Sequence, residues 1–345
     1  MNKGTPTVSR FKTLSVLAFT FILIYLVIRK VGLDELLNLL RLADPVWLFL
    51  SFSIAPLSVL VSVVKWKILL ESQQVNVSLS RLYMYYLIGH FFNNFLPSTV
   101  GGDIVRSFEL GNYTRNNVTA LTSVFVERFT GFIALVFISL ISIFYHVEYM
   151  KDPRLLLVMV IAVSGLFLIL LIIFNNRLFS LLNRSIQAPN LRKYLDKLML
   201  VRSSLFDYKE KKTVLIKALA WSFVFMLVAI GNVCVSARVF YTPIPYLEVA
   251  GIVPIILIVA MMPFTMNGFG LQEWAYVFLF SWIGLPASVG LLTILLIRGK
   301  GILLATTGGL LYLYTKVHNK SGMPHHQLKF FKLKDQTRAK IKSKD

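Results

Sequence analysis

The residues with most chemical potential in this chain are ionisable groups set among apolar ones. Asp103, Arg106, Glu127 and Arg128 lie in one region, and Glu273, Arg298 and Lys300 in another. Charged groups at membrane depth are costly, and they mark ligand paths, proton relays or buried pairs. Arginine's planar fork suits a phosphate or carboxylate, and Asp103 and Arg106, three residues apart, share a helix face. Each region also holds a glycine turn, Gly101-Gly102 before Asp103 and Gly268-Phe269-Gly270 before Glu273. A half-helix opening at such a turn presents free N–H groups and the positive end of its dipole, which favour an anion. These residues therefore suggest binding of an anionic group. Glu127 and Glu273 would balance charge, meet a cationic headgroup or carry a coupling proton.

The two regions repeat one another. Pro97, Thr99 and Gly102 recur at an offset of 166 residues as Pro263, Thr265 and Gly268, and Arg128 and Gly131 recur at 170 as Arg298 and Gly301. Matching Pro and Gly interruptions in two halves of a membrane protein point to broken helices that line a site at the repeat interface, since lipid cannot satisfy unwound backbone. The candidate substrate-binding residues are Gly101, Gly102, Asp103, Arg106, Glu127, Arg128, Asn267, Gly268, Gly270, Glu273, Arg298 and Lys300. Pro97, Thr99, Pro263 and Thr265 would break the helices.

Several of these have a second reading. Asp103 at a helix start also suits an N-cap. Glu127 and Arg128 sit at an interface if Phe129 to Val147 crosses alone, and deep if the helix begins at Val118. Only 15 residues, Gly301 to Thr315, separate Lys300 from Lys316, too few to span about 30 Å at about 1.5 Å each. At least one of Arg298 and Lys300 is therefore expected inside the protein, with Glu127 or Glu273 as partner. His90, Asn93 and Asn94 either bond backbone freed by Pro97 or line a headgroup path.

The elements that must position these groups are membrane helices. The chain of 345 residues is 56% hydrophobic, and Pro45 to Val64, Leu155 to Phe174 and Thr213 to Ala237 are apolar runs of spanning length, the first two free of charge and the third carrying only Lys217. Thr13 to Ile28 reads as an uncleaved first span flanked by Lys12 and Arg29. The single cysteine, Cys234, allows no intrachain disulfide.

The net charge of +20 sits in segments flanking the spans, a positive-inside bias and not a nucleic-acid surface. With the N-terminus cytoplasmic, Lys65 and Lys67 count as cytoplasmic flanking charges. The loop 175–212 then carries nine cations against three acids on the cytoplasmic face, and the tail 316–345 nine against two. This balance favours each broken segment, Leu82 to Asn112 and Glu248 to Trp282, entering and leaving by one face, the two from opposite faces. The expected fold is all-α: a polytopic helical membrane protein with inverted repeats and two re-entrant, broken helical hairpins. Both termini would be cytoplasmic at the plasma membrane. Residues 1–315 would form the transmembrane domain, with halves at roughly 45–174 and 213–315, and the basic tail 316–345 would be disordered.

PSTVGGDIVR at 97–106, ERFTG at 127–131 and PFTMNGFGLQEW at 263–274 resemble the lysylphosphatidylglycerol synthase transmembrane-region family, whose members are flippase-like. The chain departs from the family's pattern at Asn267 and Gln272. The resemblance implies handling of lipids: translocation of a modified phospholipid or polyprenyl-phosphate lipid, or service as the membrane subunit of an aminoacyl-lipid or glycolipid transferase with a separate catalytic partner. No aminoacyltransferase domain fits within 316–345, so synthesis by this chain alone is not expected. With no Gly-x-x-x-x-Gly-Lys loop and no metal-ligand cluster, no catalytic residue, metal or cofactor is assigned. The partners expected are anionic membrane lipids and, in the second reading, a transferase.

Overall fold

The computed structural model describes residues 33–95, 101–145, 160, 164–165, 208, 211–241, 243–261 and 268–318. Every regular element among them is helical: α1 (Leu33–Arg41), α2 (Pro45–Glu71), α3 (Leu79–Phe95), α4 (Gly101–Thr114), α5 (Asn117–Tyr145), α6 (Lys212–Arg238), α7 (Tyr246–Met261), α8 (Leu271–Trp282) and α9 (Ala287–His318). The run Thr13 to Ile28, most of Leu155 to Phe174, nearly all of the loop 175–212 and of the tail, and the hinge residues Pro97, Thr99, Pro263 and Thr265 with Asn267 lie outside the described residues.

Helices α2, α5, α6 and α9 contain stretches long and apolar enough to cross a membrane. At about 1.5 Å per residue, the 27 residues of α2 and of α6 reach about 40 Å. Local chemistry starts α2 sharply: Pro45 occupies the first turn, and the Asp44 carboxylate accepts from the N–H groups of Val46 and Trp47 at 2.8 and 3.3 Å. Large apolar side chains such as Phe49, Leu57, Ile216, Leu227 and Leu310 face outward, as a lipid-facing surface requires.

The element order repeats. Among the described elements, a long helix, two short ones and a second long one (α2 to α5) recur as the same sequence of lengths in α6 to α9. Pro45 and Glu71 bound α2 as Lys212 and Arg238 bound α6, both at an offset of 167. Gly101 and Asn117 open α4 and α5 as Leu271 and Ala287 open α8 and α9, both at 170.

The two first helices pack antiparallel. Ser51 Oγ meets Ser236 Oγ at 2.9 Å toward one end, and Lys65 Nζ meets Ser222 Oγ at 3.2 Å toward the other. The second long helix of each set reaches the other set. Gly308 of α9 packs on the Leu87 carbonyl of α3, and Ser142 of α5 donates to the Gly251 carbonyl of α7 at 2.5 Å.

Helices α3 and α4 form a tight hairpin. Arg81 lies 4.0 Å from the Tyr113 ring at its open end. At the other end Asn93 Oδ1 accepts the Gly102 N–H at 2.7 Å, a donor of the first turn of α4 and not backbone freed by Pro97. A Cβ on Gly102 would stand 1.9 Å from the Gly89 carbonyl. Gly102→Ala is therefore expected to lower stability by about 1–3 kcal/mol through overpacking, read by thermal unfolding. Gly301→Ala, which meets nothing within 4 Å, should leave the midpoint unchanged.

Candidate functional site

The hairpin α3–α4 delivers Asp103 and Arg106 against α5, and the unbroken course of α5 decides the depth of Glu127 and Arg128. That helix begins at Asn117, ten residues before Glu127, so the pair sits well inside it. Asp103 lies within the first turn of α4 but does not serve as its N-cap. Its carboxylate takes Arg106 Nε at 3.0 Å and a two-pronged bond from Arg128, Nε to Oδ2 at 2.8 Å and Nη2 to Oδ1 at 2.9 Å.

Arg106 is 1% exposed and links two carboxylates, with Nη2 at 2.7 Å from Glu127 Oε2. Its guanidinium lies 4.3 Å from the Tyr86 ring and 4.8 Å from the Trp66 ring, a cation–π contact on each. The Trp66 indole donates to Ser123 Oγ at 2.9 Å, and the Tyr86 hydroxyl to Glu127 Oε1 at 3.1 Å. Glu127 is 2% exposed and faces a third cation, Lys65, whose Nζ is 2.9 Å from the Glu127 carbonyl and 4.0 Å from its Oε1. Counting Lys65 as a cytoplasmic flanking charge is thus corrected: α2 runs on to Glu71, and the Lys65 ammonium is held inside by Glu127 and Ser222. Three cations against two carboxylates leave this cluster one positive charge in excess.

The second half builds a smaller version. Gly268 and Gly270 take positive φ, 72° and 82°, where a side chain would be strained. They turn the chain so that Glu273, in the first turn of α8, accepts the Gly270 N–H at 2.7 Å. The same carboxylate takes a two-pronged bond from Arg298 of α9, through Nε to Oε1 and through Nη2 to Oε2 at 3.2 Å. Arg298 lies 3.8 Å from the Phe269 ring. Lys300, 2% exposed, contacts Ser51, Asn232 and Ser236. Of the two partners expected for this stretch, Glu273 holds Arg298, and Lys300 is bound by neutral groups.

One arrangement thus occurs twice. Asp103 with Arg128 and Glu273 with Arg298 are each a carboxylate and an arginine 25 residues apart, joining the second short helix of a half to its last long helix. They differ in openness: the Arg128 side chain is 54% exposed and that of Arg298 12%. The N–H groups of Gly102 and Gly270 are already bonded within the protein, so an incoming anion would meet guanidinium groups first. Among the described residues, no group of three or more His, Cys, Asp or Glu could hold a metal. Trp66, Tyr86, Ser51, Asn232 and Ser236 were not marked from the sequence, and Lys65 was placed at a flank. Lys65 and Asn232, 167 apart in equivalent apolar helices, were the signal present.

Long apolar helices with buried charge at their crossings define a multi-pass integral membrane protein. The chain belongs to the lysylphosphatidylglycerol synthase transmembrane-region family, whose profile matches residues 13–309. It is 24% identical over 280 residues to a UPF0104 membrane protein of Methanothermobacter thermautotrophicus, covering 75% of this chain and 82% of that one. A second UPF0104 membrane protein, of Methanocaldococcus jannaschii, is 28% identical over 141 residues, 39% of this chain and 41% of the relative.

Proposed function

We propose that this protein binds and translocates an anionic or lipid-linked substrate, such as a modified phospholipid or a polyprenyl-phosphate lipid, between the leaflets of the plasma membrane. The observation that carries the reading is the doubled arginine–carboxylate pair, one copy in each half. Arginine forks already preorganised by a carboxylate suit a phosphate, and the excess cation in the first cluster makes an anion the favoured guest.

The halves are inverted in this reading, with α3–α4 and α7–α8 as re-entrant hairpins from opposite faces and both termini cytoplasmic. The antiparallel packing of the matching helices α2 and α6 supports the inversion. Acyl or prenyl chains would stay in the bilayer while the headgroup passes between the two arginines, as rocking of one half against the other opens each in turn. Lipid retention by purified protein tests the binding step. Phosphatidylglycerol and undecaprenyl phosphate should be retained over phosphatidylcholine in native mass spectrometry, and Arg128→Gln should reduce that preference by about tenfold, the loss of about 1.4 kcal/mol of charge-assisted bonding. Equal retention of anionic and zwitterionic lipid would overturn the reading.

A further inference from the structure

Lys300 is bound unlike the other buried cations among the described residues. Its Nζ lies 2.6 Å from Ser51 Oγ, 2.6 Å from Asn232 Oδ1, 2.8 Å from Ser236 Oγ and 3.2 Å from the Ser51 carbonyl. All four oxygens are neutral, and they come from both members of the antiparallel α2–α6 pair. Three protons suffice to satisfy an ammonium. A fourth oxygen, a backbone carbonyl, completes a shell of the kind in which hard cations exchange their water for neutral ligands.

A second observation comes from the repeat. Lys65 of α2 occupies the position equivalent to Asn232 of α6 at the 167-residue offset, and Lys300 of α9 the position equivalent to Thr130 of α5 at 170. The lysine has changed helices between the halves, yet each half still places one ammonium where its first and last helices meet the other half's first helix. Lys65 lies against Ser222 and the Glu127 carbonyl, and Ser222 bonds Thr130. Lys300 lies against Asn232, Ser236 and Ser51. What recurs is a monovalent positive charge at a place in the fold, and not a lysine at a place in the sequence.

We propose that the crossing of α2, α6 and α9 is a monovalent-cation site whose occupant in this chain is the tethered ammonium of Lys300. The oxygens of Ser51, Asn232 and Ser236 are its ligands. The tether makes the site independent of the salt around the protein, so the positive charge stays in place whatever ions the membrane faces. This assignment stands apart from the lipid reading above, since it concerns what fills the crossing and not what passes between the arginines.

Shortening the side chain opens the site to an ion. Lys300→Ala leaves the oxygen shell and removes its occupant, whereas Lys300→Met fills much of the same volume with neutral atoms. Thermal unfolding of the full-length protein in detergent, in sodium chloride and in choline chloride at matched ionic strength, separates the two. The wild-type midpoint should be the same in both salts. Lys300→Ala should unfold several degrees lower in choline and recover in sodium with a saturable concentration dependence, and Lys300→Met should be low in both. Adding Asn232→Leu to Lys300→Ala should abolish the sodium response. Four results would each overturn the assignment: no sodium response in Lys300→Ala, a response shared by the wild type or by Lys300→Met, a response that survives loss of Asn232, or a Lys300→Ala protein that folds in neither salt while Lys300→Met folds.

Discussion

Replacing Arg106 by methionine should destabilise the protein by about 3–5 kcal/mol, the cost of removing one partner from a buried ion pair. The side chain is 1% exposed and is the only group that bridges Asp103 to Glu127 among the described ion pairs. Methionine keeps the volume and the contact with Trp66 and Tyr86, so the loss is electrostatic. Glu127 would be left facing Lys65 at 4.0 Å and the Tyr86 hydroxyl at 3.1 Å. Lysine should rescue little, because a point charge cannot reach both carboxylates as a planar fork or stack on two rings. Adding Glu127→Gln to Arg106→Met should recover little, because it leaves the buried Lys65 ammonium without a carboxylate. Thermal unfolding of the three variants in detergent measures this, and a wild-type midpoint in Arg106→Met would show that the cluster does not hold the hairpin to α5.

The exchange Glu273→Arg with Arg298→Glu separates folding from lipid handling. The pair is mutual in the described structure, since the Glu273 carboxylate takes both prongs of Arg298 and its one other bond is the Gly270 N–H. Exchange restores attraction across α8 and α9, so the protein should fold, at a cost of about 1 kcal/mol for the lost cap. If Arg298 is a headgroup ligand, its position now carries a negative charge, and lipid movement should fall at least a hundredfold. If the pair only locks two helices together, the exchanged protein should move lipid nearly as well as the wild type. Leaflet-resolved counting of labelled lipid distinguishes the two.

Much of this site was legible because membranes make run length a physical constraint. Fifteen residues between Lys300 and Lys316 cannot span, and the lysine is indeed buried within α9, 2% exposed. Its partners were not legible. Ser51, Asn232 and Ser236 are neutral residues of α2 and α6, and nothing local marks them as ligands for a charge far along the chain. Lys65 was misread for a related reason. A cation following a spanning apolar run looks like a snorkelling flank, and its burial becomes visible only when α6 crosses α2 and brings Ser222 to it. The glycines divide in the same way. Positive φ at Gly268 and Gly270 is a local demand that the turn composition announced, whereas Gly102 is required by the Gly89 carbonyl of a neighbouring helix. The ambiguity over Glu127 was one of helix start, and Asn117, not the apolar run after Arg128, is where α5 begins.

In the proposed function the two equivalent arginines carry a lipid headgroup between leaflets. Proteoliposomes containing the purified protein and a trace of fluorescent phosphatidylglycerol or polyprenyl phosphate, with dithionite added outside to count the exposed label, test it most directly. The protected inner-leaflet fraction should become accessible with the wild-type protein, and stay protected with Arg298→Gln at equal folded protein in the membrane. Equal rates for wild type and Arg298→Gln would contradict it.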